Sequence, residues 1–479
     1  MKKYTVYALL VAMLCGTFAS CGGSVEESPA TDTDTQSESE TTELATDLPA
    51  DLDFGGETIR IVKNPAVFMP EFNTDEMTGE VVDDALYNSY VAVCNRLNVD
   101  FELIDIWSDN AKQGEYVTAI SKSVMAQTSE YDFISGYSMC FPTLAAAGLL
   151  QDILETEYID MDKPWWCGQL EDQSVVNGKL YFATGDISNQ LLYNMVVTYF
   201  NKNLFNDLNL ESPYALVDEG KWTLDKMAEL CRGAYADLNG NGSADNEDRY
   251  GYSGSGAVFI DAYWFSAGLR YVEIDKNGNP FISEDITSEK AVALVDKMQS
   301  IFHDGSNDMT TNPAGSAFAN GNVLFMNHEF LQASFTLRDV NFDFGVVPIA
   351  TYSEDDEFQT VTSFTYTLYG IPVDARDADM SSAVMEAMAY EGYKTVTPAV
   401  FETAMKVKYT HDEDSVRMLD IVRGSICFDF GRVFVSQLNL LTWEMFRYTI
   451  ADNGNWSSTL ASKLPVLEAK FEALMENFQ

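Results

Sequence analysis

Short apolar runs alternate with amphipathic stretches along the first part of the chain. Residues 58–62 alternate as a strand, residues 84–98 place their apolar side chains on one helical stripe, and a second strand follows over residues 99–103. Residues 131–135 indicate a buried strand, and residues 142–150 a helix of small side chains. This order of strand, helix and strand predicts a mostly parallel sheet with covering helices.

The pattern continues in the second half with less strand and more helix. A helix is expected after the N-cap Thr223, another over residues 289–302, and the last third is almost wholly helical up to residues 464–478. Further strands are predicted at residues 179–183, 195–201 and 250–253. The predicted fold class is therefore α/β, with mixed sheets flanked by helices and a helical C-terminal third.

The N-terminus has the pattern of an export signal. A basic start and an apolar run lead to Ala19, Ser20 and Cys21, which resembles a lipobox whose cysteine is acylated and becomes the new N-terminus. Phe18 departs from the usual leucine. We expect a lipoprotein signal peptide over residues 1–20 and lipidation at Cys21; an uncleaved anchor helix and an ordinary secretory signal are the alternatives.

Residues 21–51 are dense in Ser, Thr, Glu and Asp and nearly free of apolar side chains, so we predict a disordered acidic tether. The remaining residues of the 479-residue chain are too many for one core and suit two lobes. A formal net charge of -45 argues against nucleic acid and against an anionic ligand. No second apolar run is long enough to span a membrane, so the lipid is the expected anchor.

The cysteines do not form a recognisable framework. Once Cys15 and Cys21 are set aside, five remain without a CxxC pair, so we expect small core residues, with a single bridge left open. These five are Cys94, Cys140, Cys167, Cys231 and Cys427.

Residues 237–248 match a twelve-residue calcium loop. Oxygen-bearing side chains fall at the expected positions, Gly242 lies where the sharp turn needs a positive φ, and Asp248 replaces the usual glutamate at position twelve. A polar, Asx-rich turn without metal is the alternative. The prediction is a structural Ca²⁺ site formed by Asp237, Asn239, Asn241, Ser243, Asp245 and Asp248.

Signals for an enzyme are weak. The three histidines form no HExxH motif, and neither a GxSxG motif nor a phosphate-binding loop occurs. Carboxylate pairs must occur by chance among 74 acidic residues, so spacing alone does not decide for or against a glycosidase. We expect a protein that is not an enzyme.

Several segments together resemble the lipid-anchored extracellular solute-binding proteins of carbohydrate ABC importers. The likeness covers residues 52–479; each piece is loose, but their order and spacing are specific. The segments are YDF at 131–133, LAAAGLLQD at 144–152, GKLYFA at 178–183, YFNKNLF at 199–205, GKWT at 220–223, AFANGNVLF at 317–325 and FGVVP at 344–348.

The resemblance implies a two-lobed, type II periplasmic-binding fold that closes around a sugar or oligosaccharide. The expected first lobe is residues 52–190 with 345–395, and the second is 191–344 with 396–479. The partners would be ABC permease subunits, and the protein would be a monomer anchored at the extracytoplasmic face of the cell membrane. A lipid-anchored glycoside hydrolase and a non-transporting surface protein that binds glycans or peptides are the alternatives.

Ligands of open α/β sheets lie beyond the carboxyl ends of strands, which directs the search for binding residues. Trp264 and Tyr263 are the preferred stacking pair, because the glycines just before them suggest a loop at a cleft wall; Trp165 and Trp166 are the second choice. The predicted ligand-binding residues are Phe68, Glu71, Tyr137, Ser138, Asp186, Ser188, Tyr263, Trp264 and Asp429.

Overall fold

The structure is a computed structural model that describes residues 45–245, 247–254, 259–308, 314–410 and 412–478. Eleven strands lie in these ranges. They are β1 Glu57–Lys63, β2 Val99–Asp105, β3 Phe133–Tyr137, β4 Val196–Asn201, β5 Tyr250–Ser253, β6 Val272–Ile274, β7 Pro280–Ile282, β8 Asn307–Asp308, β9 Val323–Glu329, β10 Phe344–Val347 and β11 Thr367–Gly370.

The strands form two larger sheets and one small hairpin. The first sheet has the order β11-β3-β1-β2, in which β1 is parallel to both β2 and β3 and β11 is antiparallel to β3. The second sheet has the order β10-β4-β9-β5-β8 and mixes parallel with antiparallel pairs. Strands β6 and β7 pair as the hairpin. The chain therefore passes between the two larger sheets before β4 and again after β10.

Helices flank the sheets and occupy most of the C-terminal third. They are α1 Val81–Leu97, α2 Gln113–Ala126, α3 Phe141–Ala146, α4 Gly168–Asp172, α5 Gln190–Tyr193, α6 Lys202–Asp207, α7 Pro213–Asp218, α8 Leu224–Ala234, α9 Ala262–Ser266, α10 Glu289–Phe302, α11 Ala314–Ala319, α12 Ala378–Glu391, α13 Glu413–Gly424, α14 Phe430–Val433, α15 Leu441–Ala451 and α16 Trp456–Glu476. Two π-helical segments, Gly392–Val396 and Pro398–Tyr409, follow α12.

Local sequence signals account for the better predicted helices. Thr223 caps α8 through its side chain, which accepts a hydrogen bond from the Lys226 amide at 3.4 Å. Ser288 caps α10 in the same way at 3.1 Å from the Ala291 amide. Since each cap is followed by an apolar stripe that is buried, helix start and packing face agree. The predicted helix over residues 289–302 is confirmed.

The predicted strand over residues 179–183 is wrong. The segment is extended, but it pairs with β11 only at Ala183 and Tyr369, whose amides and carbonyls exchange two hydrogen bonds of 2.9 Å. Leu180 and Phe182 are buried, so the alternation reflects burial against the core without a continuous ladder. The other predicted strands are confirmed, with shifts of a few residues at their ends.

Two predicted boundaries, one between the lobes and one at the end of the tether, fall within ordered structure. The junction between residues 344 and 345 falls inside β10, which pairs with β4 in the second sheet. The predicted tether includes Leu48, which is buried against the first sheet's core, while Arg96 donates to the Pro49 carbonyl at 2.5 Å. The described part of the tether, residues 45–51, therefore packs on the folded body.

Candidate functional site

A cavity of about 370 Å³ lies at the carboxyl edge of the first sheet. Because β1, β2 and β3 are parallel, their carboxyl ends meet at this edge, as ligand sites of open α/β sheets do. The segment around α5 and a residue after β9 complete the wall, and the volume suits a small-molecule site. The lining residues are Asn64, Pro65, Ala66, Val67, Phe68, Trp107, Ser108, Asp109, Tyr137, Gln190, Asn194, Leu331 and Thr365.

The loops after β1 and β2 are fixed to each other by a buried amide. The Asn64 side chain accepts hydrogen bonds from the Ala66 and Ser108 amides at 3.0 Å and donates to the Ser108 carbonyl at 2.7 Å. Ser108 in turn accepts from the Tyr137 amide at 3.0 Å. These bonds tie the ends of all three strands together, so the first-sheet wall of the cavity is preorganised.

Two large aromatic side chains of the wall are open to solvent. Phe68 is 68% exposed and Trp107 is 53% exposed, although side chains of this size are usually buried. Phe68 meets Phe335, which follows β9, with ring centroids 5.7 Å apart at 66°. Exposed aromatic faces beside a cavity offer a flat apolar surface to a ligand.

The polar part of the wall consists mainly of amides and hydroxyls. The Asn194 amide oxygen accepts hydrogen bonds from Ser363, at 3.0 Å, and from Thr365. Gln190 donates to the Met69 carbonyl at 2.8 Å. Among the described residues, Asp109 is the one charged side chain that lines the cavity, and none of the lysines or arginines in those ranges does. The wall therefore offers no counter-charge to a phosphate or carboxylate and suits an uncharged ligand.

No family model matches the chain, and no curated protein matches it. Several solved structures do match the chain. An ABC substrate-binding protein from Listeria monocytogenes in complex with cycloalternan superimposes with a TM-score of 0.55 at 14% identity, over 88% of this chain and 99% of that one. A cyclo/maltodextrin-binding protein with maltotetraose gives 0.58 at 12%, over 86% and 97%.

A cyclic alpha-maltosyl-1,6-maltose binding protein from Arthrobacter globiformis gives a TM-score of 0.60 at 13% identity, over 88% of this chain and all of that one (100%). The chain has the two-lobed fold of these binding proteins. At such identities the likeness establishes the fold alone. The predicted fold class is confirmed.

Within the two-lobed fold, the predicted ligand residues Phe68 and Tyr137 line the cavity together. Tyr137 is almost fully buried, and burial raises the pKa of its hydroxyl, which donates to the Met139 sulfur at 3.2 Å. Ser138 is buried directly beside it and donates to the Phe364 carbonyl at 2.6 Å. Ser138 is therefore committed to the segment that crosses between the sheets and does not line the cavity.

Three predicted residues lie in the crossing region, outside the cavity. Glu71 is buried, accepts hydrogen bonds from Ser188 and from Thr367 at 2.8 Å, and burial raises its pKa to about 7. Asp186 accepts from Thr397 at 2.5 Å, and burial raises its pKa to about 6. Glu71 and Ser188 thus join the loop after β1 to the crossing segment before β4, while Asp186 joins that segment to Thr397, between the two π-helical segments.

The structure places the preferred stacking pair in the core. Tyr263 and Trp264 are fully buried on α9, and the Trp264 ring stacks on Tyr271 at 4.7 Å and 12°. Asp429 is buried too, where it caps α14 and accepts from the Tyr271 amide at 2.9 Å. These three residues are held by packing and capping and present no group to the cavity.

The second-choice pair is also committed to structure. The indole N–H groups of Trp165 and Trp166 both donate to the buried carboxylate of Glu386, at 2.9 and 2.8 Å. They border a separate cavity of about 160 Å³ that includes Asp186 and Ser188.

The sequence reasoning missed Trp107, Asp109, Gln190, Asn194 and Thr365. Trp107 and Asp109 follow β2 directly, so the search beyond strand ends would have found them if it had been applied to that strand. The other three lie in the segments that cross between the sheets, and their approach to the cavity depends on the tertiary arrangement.

The predicted calcium loop is an Asx-rich turn whose polar side chains converge. Asp237 accepts from the Gly240 and Gly242 amides at 2.7 and 2.9 Å, while Asn239 and Asn241 donate to Asp245 at 3.0 and 2.7 Å. Gly242 has φ 74°, as the loop pattern requires. The donor set is oxygen-rich and suits Ca²⁺, with the asparagine amides rotated to present oxygen.

Asp248 is buried and accepts from the Leu238 and Asp245 amides at 3.1 and 3.2 Å. Across the described ranges, no group of three or more His, Cys, Asp or Glu side chains is arranged to hold a metal ion. The predicted site would also use oxygens of its asparagines and of Ser243, which are not among these four residue types. Ca²⁺ at this loop therefore stays a prediction.

The remaining predictions concern the cysteines and the membrane anchor. The five body cysteines are unpaired in the structure. None of the helices in the described part of the chain is both long and apolar enough to cross a membrane. Cys21 and the predicted signal peptide lie outside the described residues, as do Ser255 and Gly256 before α9.

Proposed function

We propose that the chain is a substrate-binding protein that captures a neutral sugar or oligosaccharide between its two lobes for import by an ABC permease. The observation that carries the proposal is the cavity at the carboxyl edge of the first sheet. There, exposed aromatic faces and a rim of amides and hydroxyls surround one space, and no basic side chain of the described ranges lines it.

Sugars combine apolar C–H faces with many hydroxyl groups. Trp107 and Phe68 suit the first, and the side chains of Gln190, Asn194 and Thr365 suit the second. A micromolar dissociation constant needs only about -8 kcal/mol, which a few stacked rings and hydrogen bonds supply. The sugar complexes of the solved structures with this fold support the same ligand class.

Lobe closure is part of the proposal. The two lobes, one built on the first sheet and the other on the second, would hinge at the crossing segments before β4 and after β10 and enclose the ligand. The Phe68–Phe335 contact, which links the loop after β1 to the segment after β9, lies where such closure would bring the lobes together.

The site of action is proposed from the N-terminal sequence. A lipid on Cys21 and the acidic residues that follow it would hold a monomeric body at the extracytoplasmic face of the membrane, where it meets both sugar and permease.

The test is a thermal-shift screen of the purified chain against a panel of neutral oligosaccharides, followed by titration calorimetry and analysis of the recovered sugar. We expect a rise in melting temperature, a dissociation constant near micromolar and intact sugar. If no panel member shifts the melting temperature, the proposal fails.

A glycoside hydrolase is the second candidate from the sequence. Most such enzymes place two carboxyl groups on either side of the scissile bond, whereas Asp109 is the single carboxylate that lines the cavity in the part of the chain that the structure describes. The site therefore favours binding over hydrolysis, and cleaved fragments in the recovered sugar would reverse that preference. A non-transporting surface protein would bind sugar without a permease partner. Sugar uptake measured in a strain that lacks this protein distinguishes it from a protein that serves import.

A further inference from the structure

Trp107 is the most exposed of the seven tryptophans. It is 53% exposed, and no other aromatic ring or cation among the described residues lies against its faces. A half-exposed indole loses rotamer freedom when it stacks on a ligand, and that loss weakens binding. The orientation of Trp107 before binding therefore matters for affinity.

One hydrogen bond fixes that orientation. The Trp107 indole N–H donates to Oδ2 of Asp109 at 2.7 Å. The other oxygen, Oδ1, accepts from the Ala111 and Lys112 amides at 2.7 and 2.8 Å, just before α2. The carboxylate is thus locked to the backbone on one side and holds the indole with the other.

The chemistry of the pair suits this role. The bonds from Trp107 and from the backbone hold the pKa of Asp109 below its ordinary value, so the carboxylate is ionised at neutral pH. Hydrogen bonds to an ionised acceptor are stronger than those between neutral groups. A serine or asparagine would also cap the turn, but the indole needs a second acceptor oxygen, which aspartate provides.

We propose that Asp109 is a positioning residue that presents the Trp107 ring to the ligand. The inference rests on the proposed function, since it assumes that the cavity binds an oligosaccharide. It assigns to Asp109, the one acidic side chain that the described residues contribute to the wall, a role in orienting Trp107 rather than in bonding to the sugar.

Asp109→Asn separates the two tasks of the carboxylate. The amide oxygen retains the two backbone bonds, while the amide nitrogen, which is a donor, then faces the indole N–H. Trp107→Phe keeps an aromatic face but removes the N–H. The double variant completes a mutant cycle in which coupling appears as a departure from additivity.

The cycle is measured by titration calorimetry with the panel oligosaccharide that binds the parent chain most tightly. We expect Asp109→Asn to raise the dissociation constant roughly three- to tenfold in the parent, and by under about twofold in the Trp107→Phe background. Equal effects in both backgrounds overturn the inference and leave sugar binding intact. A parent chain that binds no panel member overturns both.

A readout without sugar tests the same inference. The fluorescence of Trp107 is obtained as the difference between the emission of the parent and that of Trp107→Phe. The anisotropy decay of this fluorescence reports how far the ring moves. We expect a faster decay in Asp109→Asn at an unchanged melting temperature. If the decay is unchanged, Asp109 does not hold the ring and the inference fails.

Discussion

At the scale of single residues, burial separates aromatic side chains that the sequence does not distinguish. Trp107 is half exposed beside the cavity, whereas Trp264 is fully buried and stacked on Tyr271. Both follow a predicted strand, and only their tertiary surroundings assign one to a ligand and the other to the core. The two residues should respond differently to the same substitution.

Trp107→Ala is expected to weaken sugar binding roughly tenfold and to leave the melting temperature nearly unchanged. Trp264→Ala, the matched control in the core, should cost about 3–5 kcal/mol of folding stability because it opens a cavity. Titration calorimetry and thermal unfolding measure the two effects. A large loss of stability in Trp107→Ala, with unchanged affinity, would contradict the assignment.

Glu71 predicts a pH dependence of stability. Burial disfavours the charged carboxylate and raises its pKa from the ordinary value of 4.5 to about 7 in the folded state. Ser188 and Thr367 donate hydrogen bonds to this carboxylate, and Tyr369 lies nearby. Between these pH values the folded state holds a proton that the unfolded state releases. Stability therefore falls as pH rises from about 4.5 to 7, by up to ~3 kcal/mol for this group.

Glu71→Gln should remove that part of the decline in stability. The free energy of unfolding of the variant therefore rises relative to that of the parent as pH rises from about 4.5 to 7. Asp186 and Glu386, with pKa values raised to about 6 and about 7, keep a residual slope of the same sign. Glu468→Gln on the exposed face of α16 is the control. Denaturant unfolding at pH 5 and pH 8 measures the difference, and parallel profiles for Glu71→Gln and the parent would refute the expected contribution.

At the scale of elements, periodicity and caps predicted what depends on local sequence. Strands β1 and β4 and helices α8 and α10 follow from alternation, apolar stripes and the caps Thr223 and Ser288. Residues 179–183 alternate equally well yet form only isolated bridges, at Lys179 and at Ala183, because a ladder needs a partner strand that the local pattern does not specify. The crossing residues Asn194 and Thr365 were missed for the same reason.

The calcium loop is an element whose stability we expect to depend on metal. Asp237→Ala should lower the melting temperature in calcium and abolish the difference between calcium and chelator. Asp275→Ala is a matched control, since Asp275 caps the turn between β6 and β7 by accepting from the Asn277 and Asn279 amides, at 2.7 and 2.9 Å. Equal melting of the parent with and without chelator would show that the loop is stable without Ca²⁺.

At the scale of the whole molecule, two sheets are joined by crossing segments, and the strand ends of the first sheet form a preorganised wall of the cavity. The buried Asn64 amide ties the strand ends of the first sheet together, and Phe335 reaches Phe68 from the side of the second sheet. A ligand that contacts both sides would stabilise the proposed closed arrangement by its differential affinity. The sequence resemblance anticipated this architecture, but not which aromatic residues face the cavity.

The most direct test of the account is titration calorimetry of the purified chain with maltotetraose and a panel of other neutral oligosaccharides, with the sugar recovered and analysed afterwards. The account predicts saturable binding of at least one panel member, near micromolar, that weakens in Trp107→Ala, with the sugar recovered intact. Absence of binding across the panel, or recovery of cleaved fragments, would contradict it.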